Sequence, residues 1–187
     1  MDFKGYSDTL CRLLSSVVIT DNSGALIDAD DAFSLIIERF EKVRCERKKV
    51  MIVGNGGSAA IASHLYNDLS KACRIRSMVF TETSLLTALS NDISYVKAYS
   101  ESVNLYGDKY DVLAAVSSSG KSQNILDSVY AARMSGCDFV LTLSGFGWDN
   151  PLRRMGDVNI YVNSDEYGFV ELAHSVITHY ISDELKI

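Results

Sequence analysis

Proline is almost missing from this chain: one residue in 187, Pro151. That leaves little room for a linker between separate domains. None of the four cysteines, Cys11, Cys45, Cys73 and Cys137, stands in a C-x-x-C pair, and reduced thiols of a cytoplasmic protein are expected. No apolar run approaches the roughly 18 residues of a membrane span, and the polar N-terminus does not read as a signal peptide. A basic patch is lacking as well. Net charge is −6, and the cluster from Arg44 to Lys49 is interrupted by Cys45 and Glu46. Neither nucleic acid nor an anionic membrane is therefore an expected partner. Internal repeats and low-complexity tracts are absent. What remains is a globular composition, 47% hydrophobic and 22% charged, in a chain of one-domain length.

The chain is organised around residues 49–64, KVMIVGNGGSAAIASH. Val50 to Val53 form a short apolar run, as in a strand buried on both faces. Gly54-Asn55-Gly56-Gly57-Ser58 follows, and Ser58 is read as the cap of a helix that carries His64 and Asp68. A strand, a glycine turn and a helix N-terminus together make an anion site. Glycine turns also serve tight strand-to-helix packing alone, but three glycines and a serine favour binding.

Two helices are expected in front of this stretch. Leu10, Leu13, Leu14, Val17 and Val18 mark one, ended by Asp21-Asn22-Ser23-Gly24. Phe33, Ile36, Ile37, Phe40 and Val43 mark the other, from about Asp30 to Arg47. Their apolar stripes need a partner surface, such as a neighbouring subunit, and the segment is expected to pack both on the domain and at subunit interfaces. Beyond residue 73 helical segments alternate with apolar runs at 78–80, 111–116, 139–143 and 158–162. Such alternation implies βαβ units with right-handed crossovers. The expected fold is α/β, a doubly wound parallel five-stranded sheet spanning 49–187, preceded by a helical segment over 1–48.

Three phosphate-binding patterns compete. G-N-G-G-S-A fits a dinucleotide fingerprint, but the acid due about 20 residues on is absent. A-V-S-S-S-G-K-S resembles a triphosphate loop with Ala115 in place of its first glycine. The third pattern takes both loops together: Ser117, Ser118, Ser119 and Ser122 beside a second helix N-terminus suit one terminal phosphate. A serine cap explains one or two of these serines; four in six residues favour a phosphate.

GNGGSAA, the SND at 90–92, the VSSSGKS loop and the ELAHSVITH helix resemble the SIS (sugar isomerase) family, from about residue 30 to the C-terminus. Within it the similarity is greatest to the branch that isomerises sedoheptulose 7-phosphate in heptose biosynthesis. The resemblance implies a parallel sheet, a homotetramer packed through its N-terminal segment, and active sites shared between subunits. It places the catalytic pair at Asp68 and His179, and substrate contacts at Asn55, Gly56, Gly57, Ser58, Asn91, Asp92, the four loop serines and Glu171. It aligns the metal-associated positions with His64 and Glu171, so a zinc ion at His64, Asp68, Glu171 and His179 is an expectation. No organic cofactor is implied. This chain departs from the family in three places: Asp68 stands for a glutamate, Glu171 for a glutamine, and Gly168 for an aspartate.

The expected activity is aldose–ketose isomerisation of a phosphorylated sugar, by enediol proton transfer between C1 and C2. Asp183, one turn beyond His179, is expected to orient its imidazole. Two other classes are a non-catalytic scaffold, resembling the relative that binds the bacterial replication initiator, and a sugar-phosphate-binding regulator. The first would not need the Asp68/His179 pair, and the second usually carries a DNA-binding module for which this chain has no room.

Overall fold

The computed structural model describes residues 1–187. In chain order the elements are α1 (Phe3–Ser15), β1 (Val18–Thr20), α2 (Ala29–Cys45), β2 (Lys49–Gly54), α3 (Gly57–Lys71), β3 (Arg76–Val79), α4 (Thr83–Leu89), α5 (Tyr95–Tyr106), β4 (Val112–Ser117), α6 (Gln123–Met134), β5 (Phe139–Ser144), β6 (Val158–Tyr161) and α7 (Tyr167–Glu184). A π-turn at Ser90–Ser94 joins α4 to α5, and a 3-10 turn at Pro151–Arg154 precedes β6. The sheet has six strands in the order β1-β6-β5-β4-β2-β3.

Alternation along the central strands sorts their side chains between two helical layers. Val50 and Ile52 of β2, Val112, Ala114 and Val116 of β4, and Phe139, Leu141 and Leu143 of β5 face α2, α3 and α7. Met51, Val53, Leu113, Ala115 and Val140 face α5 and α6. Near-continuous apolar runs are thus what a sheet covered on both sides requires, and the one polar side chain within them, Thr142 of β5, donates to the buried Asn159 Oδ1. No helix is long and apolar enough to cross a membrane.

One expectation about the N-terminal segment changes. The sheet has a sixth strand, because Val17 and Val18 do not continue the first helix. α1 stops at Ser15, and Val18, Ile19 and Thr20 pair antiparallel with Tyr161, Ile160 and Asn159 of β6. Val17 to Thr20 are four β-branched residues in succession, a run that favours the extended chain over the helix. The buried Asn159 amide fastens this edge by donating to the carbonyls of Thr20 and Asp21 at 3.2 and 3.1 Å. The α2 stripe packs on the sheet of its own chain. Ile36, Phe40 and Val43 are buried against the chain's own sheet, each contributing about 1.5–3 kcal/mol by leaving water. Only Phe33 and Ile37 on that stripe stay partly uncovered.

β2 and β4 are adjacent, and the chain leaves them in opposite directions along the sheet: β3 lies beyond β2, and β5 beyond β4. Loops leaving the carboxyl ends of such a pair diverge and open a crevice, where ligands of open α/β sheets bind.

Candidate functional site

That crevice is a pocket of about 260 Å³ lined by Asn55, Gly56, Gly57 and Ser58 after β2, by Ser117, Ser118, Ser119 and Ser122 after β4, and by Tyr167 and Glu171 of α7. The two loops read separately in the sequence thus converge.

Ser58 does not cap α3. The helix begins at Gly57, its N-cap is Gly56, and no side chain bonds the first turn. Gly56 has φ +54°, where a residue with a Cβ is strained, so the capping position is closed to serine. Ser58 is buried one residue inside the helix. The consequence favours binding: amides that no side chain satisfies are left at the mouth of the pocket. A Cβ at Gly57 would collide with the Glu171 carboxylate, so glycine there is a condition of Glu171 reaching the pocket.

The serines divide by role. Ser117 Oγ accepts from Gly120 N at 3.2 Å and lies 3.4 Å from Ser122 Oγ, and Ser119 Oγ accepts from Lys121 N at 3.3 Å. These hydroxyls shape the turn. Ser118 is 4% exposed and its hydroxyl has no partner. A buried hydroxyl without a partner costs roughly 1–3 kcal/mol, a cost that a ligand oxygen would relieve.

Asn55 is held from two sides. Tyr95 Oη donates to its Oδ1 at 2.7 Å, and its Nδ2 donates to Asn124 Oδ1 at 2.9 Å. Tyr99 Oη adds a bond to Gly54 O at 2.8 Å. Sequence reasoning missed Tyr95, Asn124 and Tyr167. The only signal for any of them is proximity to a motif: Asn124 follows Ser122 by two positions, and Tyr167 precedes Glu171 by four. Asn91 and Asp92 lie exposed in the π-turn, where Asn91 Nδ2 donates to Asp92 Oδ1 at 2.9 Å, and they do not line the pocket.

A second constellation sits farther along α3 and α7. Asp68 Oδ2 lies 3.4 Å from His64 Nε2 and 3.5 Å from His179 Nδ1. The two imidazoles meet edge to face with centroids 4.5 Å apart. One nitrogen from each imidazole and one carboxylate oxygen fall within 4.8 Å of one another, a donor set that could hold a metal ion. Both rings are half-exposed, while the carboxylate is largely sheltered. Glu171 is not in this cluster. It precedes His179 by eight residues, about 12 Å of helix rise, and its side chain points to Gly57 and the serine pocket. Within one chain, three of the four expected metal-ligating residues therefore converge. Asp183 does not orient His179. It pairs with Lys186, which holds its carboxyl below the usual range, and Asp68 takes the position beside the imidazole.

The remaining histidine, His174, is fully buried, and burial pushes its pKa down to about 4. It is therefore neutral, and its Nε2 donates to the carbonyl of Ser144 at 3.2 Å.

Fold and site together define a doubly wound α/β protein with a serine-lined pocket at its topological switch point and a histidine–carboxylate cluster farther along the same two helices. The chain belongs to the SIS domain family, whose model matches residues 6–144. Among curated proteins it is similar to the phosphoheptose isomerase of Helicobacter pylori strain P12, 32% identical over 156 residues, covering 80% of this chain and 78% of that one. The phosphoheptose isomerase of Shewanella denitrificans is 31% identical over 177 residues, 89% and 90% of the two chains. Among solved structures, that of a phosphoheptose isomerase from Neisseria gonorrhoeae superposes with a TM-score of 0.84 over 98% of this chain and 97% of that one, at 24% identity.

Proposed function

We propose that this protein is an aldose–ketose isomerase that converts sedoheptulose 7-phosphate to a heptose 7-phosphate through an enediol. One observation carries the reading. α3 and α7 each serve both constellations: Gly57, Ser58, Tyr167 and Glu171 line the anion pocket, and His64, Asp68 and His179 form the cluster farther along the same two helices. A long sugar with its phosphate at one end and its carbonyl at the other suits that separation.

The isomerisation takes a proton from C1, returns one to C2, and exchanges protons between the two oxygens. With Nδ1 of His179 turned to Asp68, its Nε2 is the nitrogen left to face a sugar. Asp68 fixes the ring and stabilises the imidazolium that forms when the base takes a proton. Phosphate contacts from Ser118 and the α3 amides supply binding energy away from the reacting carbons, which orients them. Glu171 offers an acceptor for sugar hydroxyls. Two imidazoles and a carboxylate with an open position also fit zinc: His64, Asp68 and His179 would hold such an ion, which would polarise the carbonyl in place of the Asp68–His179 acid/base contact, so the two arrangements are alternative states of one site.

We further propose a homotetramer with the active site completed across subunits. Leu172, Val176 and Tyr180, one stripe of α7 beside the cluster, leave much of their surface uncovered in the single chain. All four cysteines are free, which supports the cytoplasm as the compartment.

The test is turnover of sedoheptulose 7-phosphate in heavy water, with and without added zinc, beside a panel of other ketose phosphates. Deuterium at C2 of the aldose product is expected. His179→Ala should lower kcat at least about 10²-fold. Absence of turnover on every sugar phosphate would overturn the isomerase reading, and unchanged kcat in the variant would remove His179 from the reaction.

A further inference from the structure

The 3-10 turn Pro151–Arg154 places two arginines side by side, and neither forms an ion pair within the chain, whereas Arg39, Arg44 and Arg133 do. Arg153 is the unusual one, only 7% exposed. Its guanidinium lies 3.6 Å from the centroid of the Trp148 ring and 4.5 Å from that of Tyr161. Nη1 donates to the carbonyl of Trp148 at 2.8 Å, while Nε is buried with no partner. Aromatic faces and one carbonyl solvate a cation in part but leave its charge unmatched. Removing a guanidinium from water without a carboxylate is costly, and the neighbouring charge here is a second cation, Arg154.

Beside this pair opens a cavity of about 120 Å³, lined by Thr20, Gly24, Trp148, Arg153 and Arg154. At ~30 Å³ per water it has room for roughly four waters. A tetrahedral oxyanion of five heavy atoms fits that space. Guanidinium donors in a fixed plane and a threonine at the wall match the oxygens of a phosphoryl group. Of its five lining residues none belongs to the serine pocket.

We propose that Arg153, Arg154 and Thr20 form a second anion site, distinct from the serine pocket, that takes a phosphoryl group, either as inorganic phosphate or as the terminal group of a phosphorylated metabolite whose carbon part stays outside. The anion supplies the charge partner that Arg153 lacks.

The chain carries its own reporter, because Trp148 is the single tryptophan and is stacked on Arg153. Inorganic phosphate, glucose 6-phosphate and glucose are titrated into the full-length protein at constant ionic strength. Trp148 fluorescence is followed, and bound phosphate per chain is counted by equilibrium dialysis. The expected result is a saturable fluorescence change with inorganic phosphate and none with glucose. It should persist in Ser118→Ala, and Arg154→Ala should weaken it at least about tenfold, as loss of a charged donor does. A change with glucose 6-phosphate as well assigns the site to phosphorylated metabolites; a change with inorganic phosphate alone assigns it to the free anion. Arg154 is exposed and makes no hydrogen bond, so its variant keeps the fold, which circular dichroism checks. Arg153→Lys, which retains the charge and loses the planar fork, should weaken binding too. One phosphate per chain that Arg154→Ala abolishes and Ser118→Ala retains would support this site and remove phosphate from the serine loop. No fluorescence response in the wild type, or one lost in Ser118→Ala and intact in Arg154→Ala, overturns the proposal.

Discussion

At the scale of single residues, the three histidines have three different environments. His64 and His179 are half-exposed on either side of Asp68. His174 lies on the opposite face of α7, sealed in the core and neutral. Its titration has a readable sign. Below about pH 6.5 an unfolded imidazole takes a proton, while the buried one refuses it until about 4. The unfolded state therefore binds more protons in that window, so stability falls as pH drops from 6.5 towards 4 and levels off above it. Urea denaturation between pH 4.5 and 7 should show this slope in the wild type, up to about 1.4 kcal/mol per pH unit. It should be reduced in His174→Gln. Equal slopes in both proteins would locate the titration elsewhere.

At the scale of elements, the strand–loop–helix unit recurs, after β2 and after β4, with a different economy each time. The β2 loop presents backbone amides and uses glycine because positive φ and the nearness of Glu171 exclude other residues. The β4 loop presents hydroxyls, three bound within the turn and one, Ser118, left over. An orphan hydroxyl that serves a ligand weakens the free protein. Ser118→Ala should therefore raise thermal stability by about 1 kcal/mol, since it removes an unsatisfied buried group. The same change should raise KM for the phosphorylated sugar about tenfold or more, for the loss of a donor to a charged group. Calorimetry and steady-state kinetics on one variant test both. A loss of stability with KM unchanged would make Ser118 a structural residue.

At the scale of the whole molecule, one chain satisfies its core and leaves an apolar face on α7. Ile36, Phe40 and Val43 are used internally, so they do not drive assembly. Leu172, Val176 and Tyr180 remain, with Phe33 meeting Tyr180 edge to face at 5.0 Å. Burying such a stripe against a second copy removes apolar area from water and brings that copy beside His179. Light scattering should give a tetramer, and Val176→Asp should shift it to smaller species with a parallel fall in kcat. A wild-type monomer at micromolar concentration would defeat both the assembly and the shared site. A dissociated variant with full activity would defeat only the sharing.

The five parallel strands, the glycine-rich and serine-rich loops and the helical register that sets His64 above Asp68 are all legible in the amino-acid sequence. Each rests on local rules: apolar runs of strand length, glycine at a turn, and side chains four apart on one helix face. Tertiary structure alone decided three other matters. Val17 to Thr20 became an edge strand because β6 offered an open edge and Asn159 two donated hydrogen bonds. Glu171 went to the serine pocket and His179 to Asp68 because eight residues of helix hold them about 12 Å apart, and the neighbours α7 meets at each end differ. The capping serine read at 58 is an interior residue because the backbone before it turns through positive φ, which no pattern of side chains announces. Local spacing states which residues share a face, whereas the packing of elements distant in sequence decides what that face meets.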